Sequence, residues 1–467
     1  MDYTYDVLVI GGGPAGMAAA ERAAELGAKT AVVERSALGG TCLNSGCVPT
    51  RVLAKTARLY REVRTAFDYG IVVQEPAVDW KKTVTRVQET VQRVLQAKQY
   101  DAMMERLSID LFSGQAMFTG EHTVDVDGQE LSARSFILCV GGAARRLPIA
   151  GADFSVLPDE VLALTELPGR LAIIGGGHTG AQLTTIFNAL GSEVLLLDVA
   201  QRLLLTEDHD VAAFVGQSFL SKGIRVETGI QGIEGITRTS ANGSFGITWT
   251  KNGEAFTADV DAVIMAAGWP ANIPGLGLEA AGVETERSFI PVDDYLRTNV
   301  PHIFVAGDAN GTSMLVQAAV FEGETAASNA VLGANRTTPH HLLPEGGFTD
   351  PDYAGVGLTE EQARKRDSEC RSVTVPYAAV ERPIIDDRET GFLKLVTDRH
   401  RELILGAHAV GENAVEVIQA VASAMAAGTD LATLARVKFA YPTYSAIIGR
   451  AARVALREQA SHEPIGT

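Results

Sequence analysis

The stretch Asp6-Val7-Leu8-Val9-Ile10-Gly11-Gly12-Gly13-Pro14-Ala15-Gly16 decides the fold. A short, continuous apolar run that stops at glycine reads as a strand buried on both faces. Three glycines then turn the chain, and the alanine-rich segment from about Ala15 to Leu26 has the composition of a helix. A second strand, Thr30 to Val33, is closed by Glu34. Strand, glycine turn, helix, strand and acid, in that order, make a dinucleotide-binding unit. Gly11 and Gly13 permit the turn and a close backbone approach to a pyrophosphate, and Gly16 lets helix and strand pack. The helix N-terminus offers its free N–H groups to the phosphates. Glu34 can accept hydrogen bonds from an adenosine ribose.

The unit recurs. Leu171 to Ile174 is a strand, Gly175-Gly176-Gly177-His178-Thr179-Gly180 the turn, Ala181 to Leu190 the helix, and Val194 to Leu197 a strand ending in Asp198. Glu34 follows Gly11 by 23 positions, and Asp198 follows Gly175 by the same 23. One glycine triplet is a weak signal, whereas two copies with matched acid spacing predict two dinucleotide sites. Gly175, Gly177, Gly180 and Asp198 are the second set of contacts.

Just downstream of the first unit lies Gly39-Gly40-Thr41-Cys42-Leu43-Asn44-Ser45-Gly46-Cys47-Val48-Pro49. Two thiols beside a bound redox cofactor can pass two electrons between them. In a regular helix, residues five apart are displaced by ~7.5 Å along the axis, beyond the roughly 7 Å that a disulfide tolerates. The pair closes only if the segment bends, and Asn44, Ser45 and Gly46 are turn-prone. The alternative is a pair of inert core thiols, which the Gly-Gly approach argues against.

The chain has 467 residues, too many for one ordinary domain, and its 46 % hydrophobic content can fill large cores. The net charge of −17 disfavours nucleic acid and anionic membranes as partners. Four cysteines do not make a secreted disulfide framework and suit a reducing compartment with one catalytic pair. Runs such as Phe136 to Gly142 fall far short of the ~20 apolar residues of a membrane span. Met1-Asp2-Tyr3-Thr4-Tyr5-Asp6 lacks the basic start of a signal peptide, so the expected location is cytoplasmic.

Between the two units, Ala57 to Leu107 reads as largely helical, Gly114 to Leu131 as short strands, and Arg134 to Val140 as a strand returning to the first sheet. Val260 to Ala266 closes the second unit. Ile303-Phe304-Val305-Ala306-Gly307-Asp308 is a further buried strand whose terminal carboxylate can hold a cofactor hydroxyl. Gly333 to Pro344, with His340-His341, reads as linker and not as a metal site, and no other His/Cys cluster has ligand spacing. Strands at Phe392 to Val396 and Leu403 to Val410, then helices near 414–427 and 445–458, suggest a separate α+β domain.

These motifs, in this order, resemble the class I pyridine nucleotide–disulfide oxidoreductases, over essentially the whole chain. The resemblance includes Thr298-Asn299-Val300-Pro301-His302 ahead of the Asp308 strand, and Phe348-Thr349-Asp350-Pro351 through Gly357-Leu358-Thr359-Glu360. It implies an α/β, glutathione reductase-like fold: an FAD-binding domain (1–150 and 271–335), an NAD(P)-binding domain (151–270) and a C-terminal α+β dimerisation domain (336–467). Gly11, Gly13, Gly16, Glu34 and Asp308 would contact FAD, with Thr41 near the flavin. The implied relay carries electrons from the nicotinamide through the flavin to a Cys42–Cys47 disulfide. Cys47 would be the flavin-side thiol and Cys42 the interchange thiolate that attacks a small substrate at the boundary of a homodimer. Asp198 would bond a free 2′-hydroxyl and repel a 2′-phosphate, and Val199 stands where an NADPH-specific relative would offer arginine. NADH is therefore expected, with Arg202 near enough to leave NADPH possible.

Three departures stand out. Disulfide reductases of this family carry His-Pro-Thr near the C-terminus, with a glutamate five residues on; here the segment is Tyr441-Pro442-Thr443-Tyr444-Ser445-Ala446. Losing a general acid costs roughly 10²–10⁴ in rate, and tyrosine, with a solution pKa of ~10, cycles a proton less readily. Tyr441 is either a hydrogen-bond donor to the reaction or an interface packing residue. Tyrosine at this place is similar to mercuric reductase, but the chain ends Ala460-Ser461-His462-Glu463-Pro464-Ile465-Gly466-Thr467 without the cysteine pair that receives the metal there. Finally, a lysine–glutamate pair common near the flavin is replaced by Thr50 or Arg51 and by Gln182, and His178 replaces a tyrosine over the nicotinamide pocket. Gln182 is either Arg51's partner or an ordinary surface residue. The expected activity is FAD- and NADH-dependent reduction, through Cys42 and Cys47, of a small thiol/disulfide, a thiol-bound metal or a related electrophile. The alternatives are a flavin-level reductase or transhydrogenase, and a non-catalytic dimeric flavoprotein subunit.

Overall fold

The computed structural model describes residues 3–239, 243–333, 335–400 and 402–462; the first two residues and the last five of the terminal stretches discussed above lie outside them. Strand β1 (Tyr5–Ile10) is buried along nearly its whole length. It pairs in parallel with β2 (Thr30–Glu34) on one side and with the long strand Gln129–Leu138 on the other. Ile303–Val305 adds a further parallel strand beyond Leu138, and Asp110–Ser113 flanks β2. The front half of Gln129–Leu138 pairs antiparallel with Thr123–Val126, which in turn pairs antiparallel with Ala116–Gly120, so one strand serves two sheets. Helix α1 (Pro14–Glu25) covers this sheet; it starts with Pro14 in the first turn and buries its alanine face. Small side chains let a second helix, Val316–Leu332, lie directly on it, and a Cβ at Gly323 would strike the Ala15 carbonyl.

The second unit repeats the first at the level of single hydrogen bonds. The Gly11 N–H donates to the Val33 carbonyl and the Gly175 N–H to the Leu197 carbonyl, each at 2.8 Å. The Gly12 N–H donates to Glu34 at 2.6 Å and the Gly176 N–H to Asp198 at 2.5 Å. Gly11 and Gly175 have φ of +105° and +107°, a region side chains avoid. Its four parallel strands run in the order Ala262–Met265, Arg170–Ile174, Glu193–Leu197, Arg225–Glu227, beside a three-stranded antiparallel sheet spanning 232–260.

The C-terminal unit is a five-stranded antiparallel sheet packed on helices Ala414–Ala426 and Ala446–His462. Buried Lys394 joins it to the second unit, its Nζ lying 2.8 Å from Asp208, 2.6 Å from Asp210 and 3.0 Å from Glu360. Removing one partner from such a buried pair costs about 3–5 kcal/mol.

The region 57–107 is largely helical, as expected; Gly70 ends a turn with φ +75°, and a loop runs to Asp79, which caps the helix Trp80–Lys98 by accepting from the Lys82 N–H at 2.9 Å. Two local expectations are amended. The first-sheet strand begins at Gln129, earlier than read, because its front half is recruited by the antiparallel partner. The stretch 333–344 is not bare linker, since His340 Nε2 meets fully buried Glu322 at 2.7 Å. Among the described residues no helix is long and apolar enough to cross a membrane.

Candidate functional site

The thiol segment folds as two helices with a break between them. Helix α2 (Gly40–Asn44) starts from Gly39 at φ +91°, and α3 (Cys47–Arg64) starts from Gly46. The Ser45 and Gly46 N–H groups both turn back to the Thr41 carbonyl, at 3.0 and 2.6 Å. A Cβ on Gly46 would press on that same carbonyl at 3.0 Å, which is why the bend falls there. The bend brings Cys42 and Cys47 into hydrogen-bond contact as free thiols. Cys47 is the first residue of α3, where N–H groups and the helix dipole favour a thiolate. The hydrogen bond from Cys42 and then the charge of Arg51 lower the Cys47 pKa to about 7. The same bond, with burial, raises Cys42, so the proton of the pair rests on Cys42. Cys139 is buried in the cleft wall behind the Gly11 turn, and Cys370 is buried in the C-terminal unit.

Both sulfurs open onto one cleft of about 1420 Å³. Gly11, Gly13, Glu34, Thr41, Thr50, Arg51, Asp308, Gly175, Gly177, Gln182 and Asp198 line the same cleft. Gly16 and Gly180 act behind it: a Cβ on either would collide with the carbonyl of Gly11 or Gly175, so each lets its helix sit on its turn. In front of Gly13 only the Gly40 Cα comes within 4 Å, at 3.8 Å, and in front of Gly177 nothing does. Two glycine turns with open space before them, each at the start of a helix, fit two pyrophosphates. Glu34 Oε1 is engaged by the Ser36 N–H at 2.8 Å, and Asp198 Oδ1 by the Ala200 N–H at 2.8 Å. Each carboxylate is thus held rigid, with lone pairs left for a ribose. Burial raises Asp308 to about 6, an uncompensated carboxyl facing the cleft that a hydroxyl donor would satisfy. The residues present therefore fit two bound dinucleotides.

Of Thr50 and Arg51, it is Arg51 that meets Gln182. Its Nη2 donates to Gln182 Oε1, its guanidinium stacks on Phe348, and burial lowers its pKa to about 10. Gln182 in turn donates to the His178 carbonyl at 3.0 Å. Arg202 faces inward: it caps the carbonyls of Leu204, Leu205 and Glu207 at 2.9 to 3.0 Å. Tyr441 lies outside the cleft, 77 % exposed, on the turn that precedes Ala446–His462.

Sequence reasoning missed two features. Glu322 is fully buried, accepting from the Gly307 N–H at 2.7 Å and the Asn310 amide at 2.8 Å, and so fixes the Asp308 loop. His178, Glu207 and Glu345 converge, each offering a donor atom within 4.8 Å of the others. No spacing rule joins three positions so far apart.

Comparison with known proteins agrees with this geometry. Residues 5–323 match the family described as pyridine nucleotide-disulphide oxidoreductase, and residues 343–452 its dimerisation domain. A mercuric reductase of Staphylococcus aureus is 33 % identical over 93 % of this chain and 79 % of its own length. A dihydrolipoyl dehydrogenase of Zymomonas mobilis subsp. mobilis is 33 % identical over 94 % of this chain and 96 % of its own. One from Thermus scotoductus is 33 % identical over 98 % and 99 %. The fold is that of the glutathione reductase-like flavoproteins, which use FAD and NAD(P)H. The chain belongs to the class I pyridine nucleotide–disulfide oxidoreductase family.

Proposed function

We propose that the chain is an NADH-dependent reductase that delivers two electrons through Cys42 and Cys47 to a small disulfide or comparable thiol-linked electrophile. The carrying observation is that the two adjacent sulfurs open onto the cleft lined by both glycine turns. In this reading, residues 1–150 and 271–335 hold FAD, 151–270 hold the nicotinamide cofactor, and 336–467 form the dimer. Bound there, FAD supplies two-electron exchange between the nicotinamide and the sulfur pair.

The chain's own residues do the rest. Cys42 gives its proton to the neighbouring Cys47 thiolate and attacks, as the thiolate, one sulfur of the acceptor; a mixed disulfide forms, the acceptor's S–S bond breaks, and the departing sulfur takes the proton from Cys47. The Cys47 thiolate then attacks Cys42, closing the Cys42–Cys47 disulfide and expelling the second thiolate. Arg51 and the start of α3 hold Cys47 as the thiolate between these steps. Tyr441 of a second copy would supply the hydrogen bond to the departing sulfur. Its exposure, with that of Phe67 (77 %) and Val72 (86 %), supports burial in a dimer. The inward commitment of Arg202 favours NADH, because it leaves Asp198 facing the ribose without a nearby guanidinium.

The test is Cys42→Ser. Turnover with lipoamide or glutathione disulfide should fall at least a hundredfold, while anaerobic flavin reduction by NADH persists and a long-wavelength thiolate-to-flavin band appears without an added acceptor. Undiminished turnover with any acceptor would transfer the chemistry to the flavin and sink the proposal.

A further inference from the structure

At the edge of the cleft, the second nucleotide unit meets the C-terminal sheet through three side chains. His178 opens the helix His178–Leu190, Glu207 precedes the helix His209–Ser221, and Glu345 opens the strand Glu345–Gly347. The Glu207 side chain is 1 % exposed, and its Oε1 accepts no hydrogen bond. That oxygen lies 3.3 Å from His178 Nε2. Among the described residues, no lysine or arginine pairs with either the Glu207 or the Glu345 carboxylate. Asp208, next along the chain, is turned away onto Lys394, and the Arg202 guanidinium is spent on carbonyls. His178 and Glu345 are half-buried and line the cleft, so the cluster is reachable.

The imidazole is already oriented. Its Nδ1 is 3.1 Å from the Tyr353 hydroxyl, on a fully buried ring, and its Nε2 is 3.2 Å from Thr206 Oγ1. A ligating histidine is ordinarily held through its other ring nitrogen in this way.

We propose that His178, Glu207 and Glu345 form a divalent-cation site that clamps the C-terminal sheet to the second nucleotide unit. One imidazole nitrogen and two carboxylates suit first-row ions such as Mn²⁺ or Zn²⁺. Donors bound at ~2.1 Å stand roughly 3 to 3.5 Å apart, and here the three donor atoms already lie within 4.8 Å of one another. The site is distinct from the Cys42–Cys47 pair and does not depend on which acceptor the thiols serve.

The test uses Mn²⁺, which prefers oxygen and nitrogen donors and so avoids the thiols. The air-oxidised holoenzyme is titrated with Mn²⁺ and free ion is followed by its electron paramagnetic resonance signal. The expected result is one saturable site per chain, with the dissociation constant at least tenfold higher in each of His178→Ala, Glu207→Gln and Glu345→Gln. Mn²⁺ should raise the melting temperature of the wild type and not of the variants. Absence of saturable binding, or equal binding in wild type and variants, overturns the proposal. His178→Ala and Glu345→Gln, at half-buried positions, carry the test should Glu207→Gln not fold.

Discussion

Arg51 donates to Gln182 across the cleft, tying the helix that begins with Cys47 to the first helix of the second nucleotide unit. Because glutamine is neutral, the whole positive charge of Arg51 remains available to the Cys47 thiolate one helical turn away. Removing it disfavours the thiolate, so Arg51→Gln should move the Cys47 pKa upward from about 7 by about one unit. Gln182→Glu should move it the same way, by neutralising Arg51 in place. The measurement is the pH dependence of iodoacetamide alkylation of the reduced enzyme. An unchanged profile would show that the Cys42 hydrogen bond and the helix terminus suffice.

Asp198 is gripped by the N–H groups of Gly176 and Ala200, at 2.5 and 2.8 Å, so it cannot swing away from a 2′-phosphate. Asp198→Ala should raise the KM for NADH roughly tenfold with little change in kcat, as expected for lost ground-state binding. It should also lower the KM for NADPH by removing the repulsion. Steady-state kinetics with both nucleotides at a fixed acceptor concentration decides the point.

Asp308 carries a pH-dependent cost. Its folded pKa is raised by burial to about 6 from 3.8, so the folded state takes up the proton more readily than the unfolded one. The cost is absent below about pH 4 and grows as pH rises through about 6. In the flavin-free protein, Asp308→Asn should match the wild type at pH 4 and gain about 3 kcal/mol by pH 8. Urea unfolding at the two pH values tests this. A gain of equal size at both would mean that charge is not the cause.

Tyr441 is exposed and does not line the thiol cleft of its own chain, so any part it plays in exchange comes from a second copy. Tyr441→Phe should slow turnover roughly tenfold, the scale of one lost transition-state hydrogen bond. Mixed dimers of Cys42→Ser and Tyr441→Phe chains carry one intact site if sites form across the boundary. They should then show about half the wild-type rate. A rate near one twentieth would mean that Cys42 works with the Tyr441 of its own chain, not with that of the second copy.

The parts of this protein legible in its sequence are those whose constraints are local. Gly11 and Gly175 must be glycine because φ exceeds +100°. Gly16 and Gly180 must be glycine because a Cβ would meet a carbonyl five residues back, and the Cys42–Cys47 bend follows from Ser45 and Gly46. What tertiary structure alone decided joins distant stretches. The partnership of Arg51, rather than Thr50, with Gln182 required two helices to cross. Glu322 reached the Asp308 loop and His340 only after two helices and a strand had stacked. His178, Glu207 and Glu345 became one cluster only when the C-terminal sheet docked. Backbone dihedrals and nearest-neighbour sterics are written residue by residue, whereas the desolvation and charge of a side chain depend on what the rest of the chain packs against it.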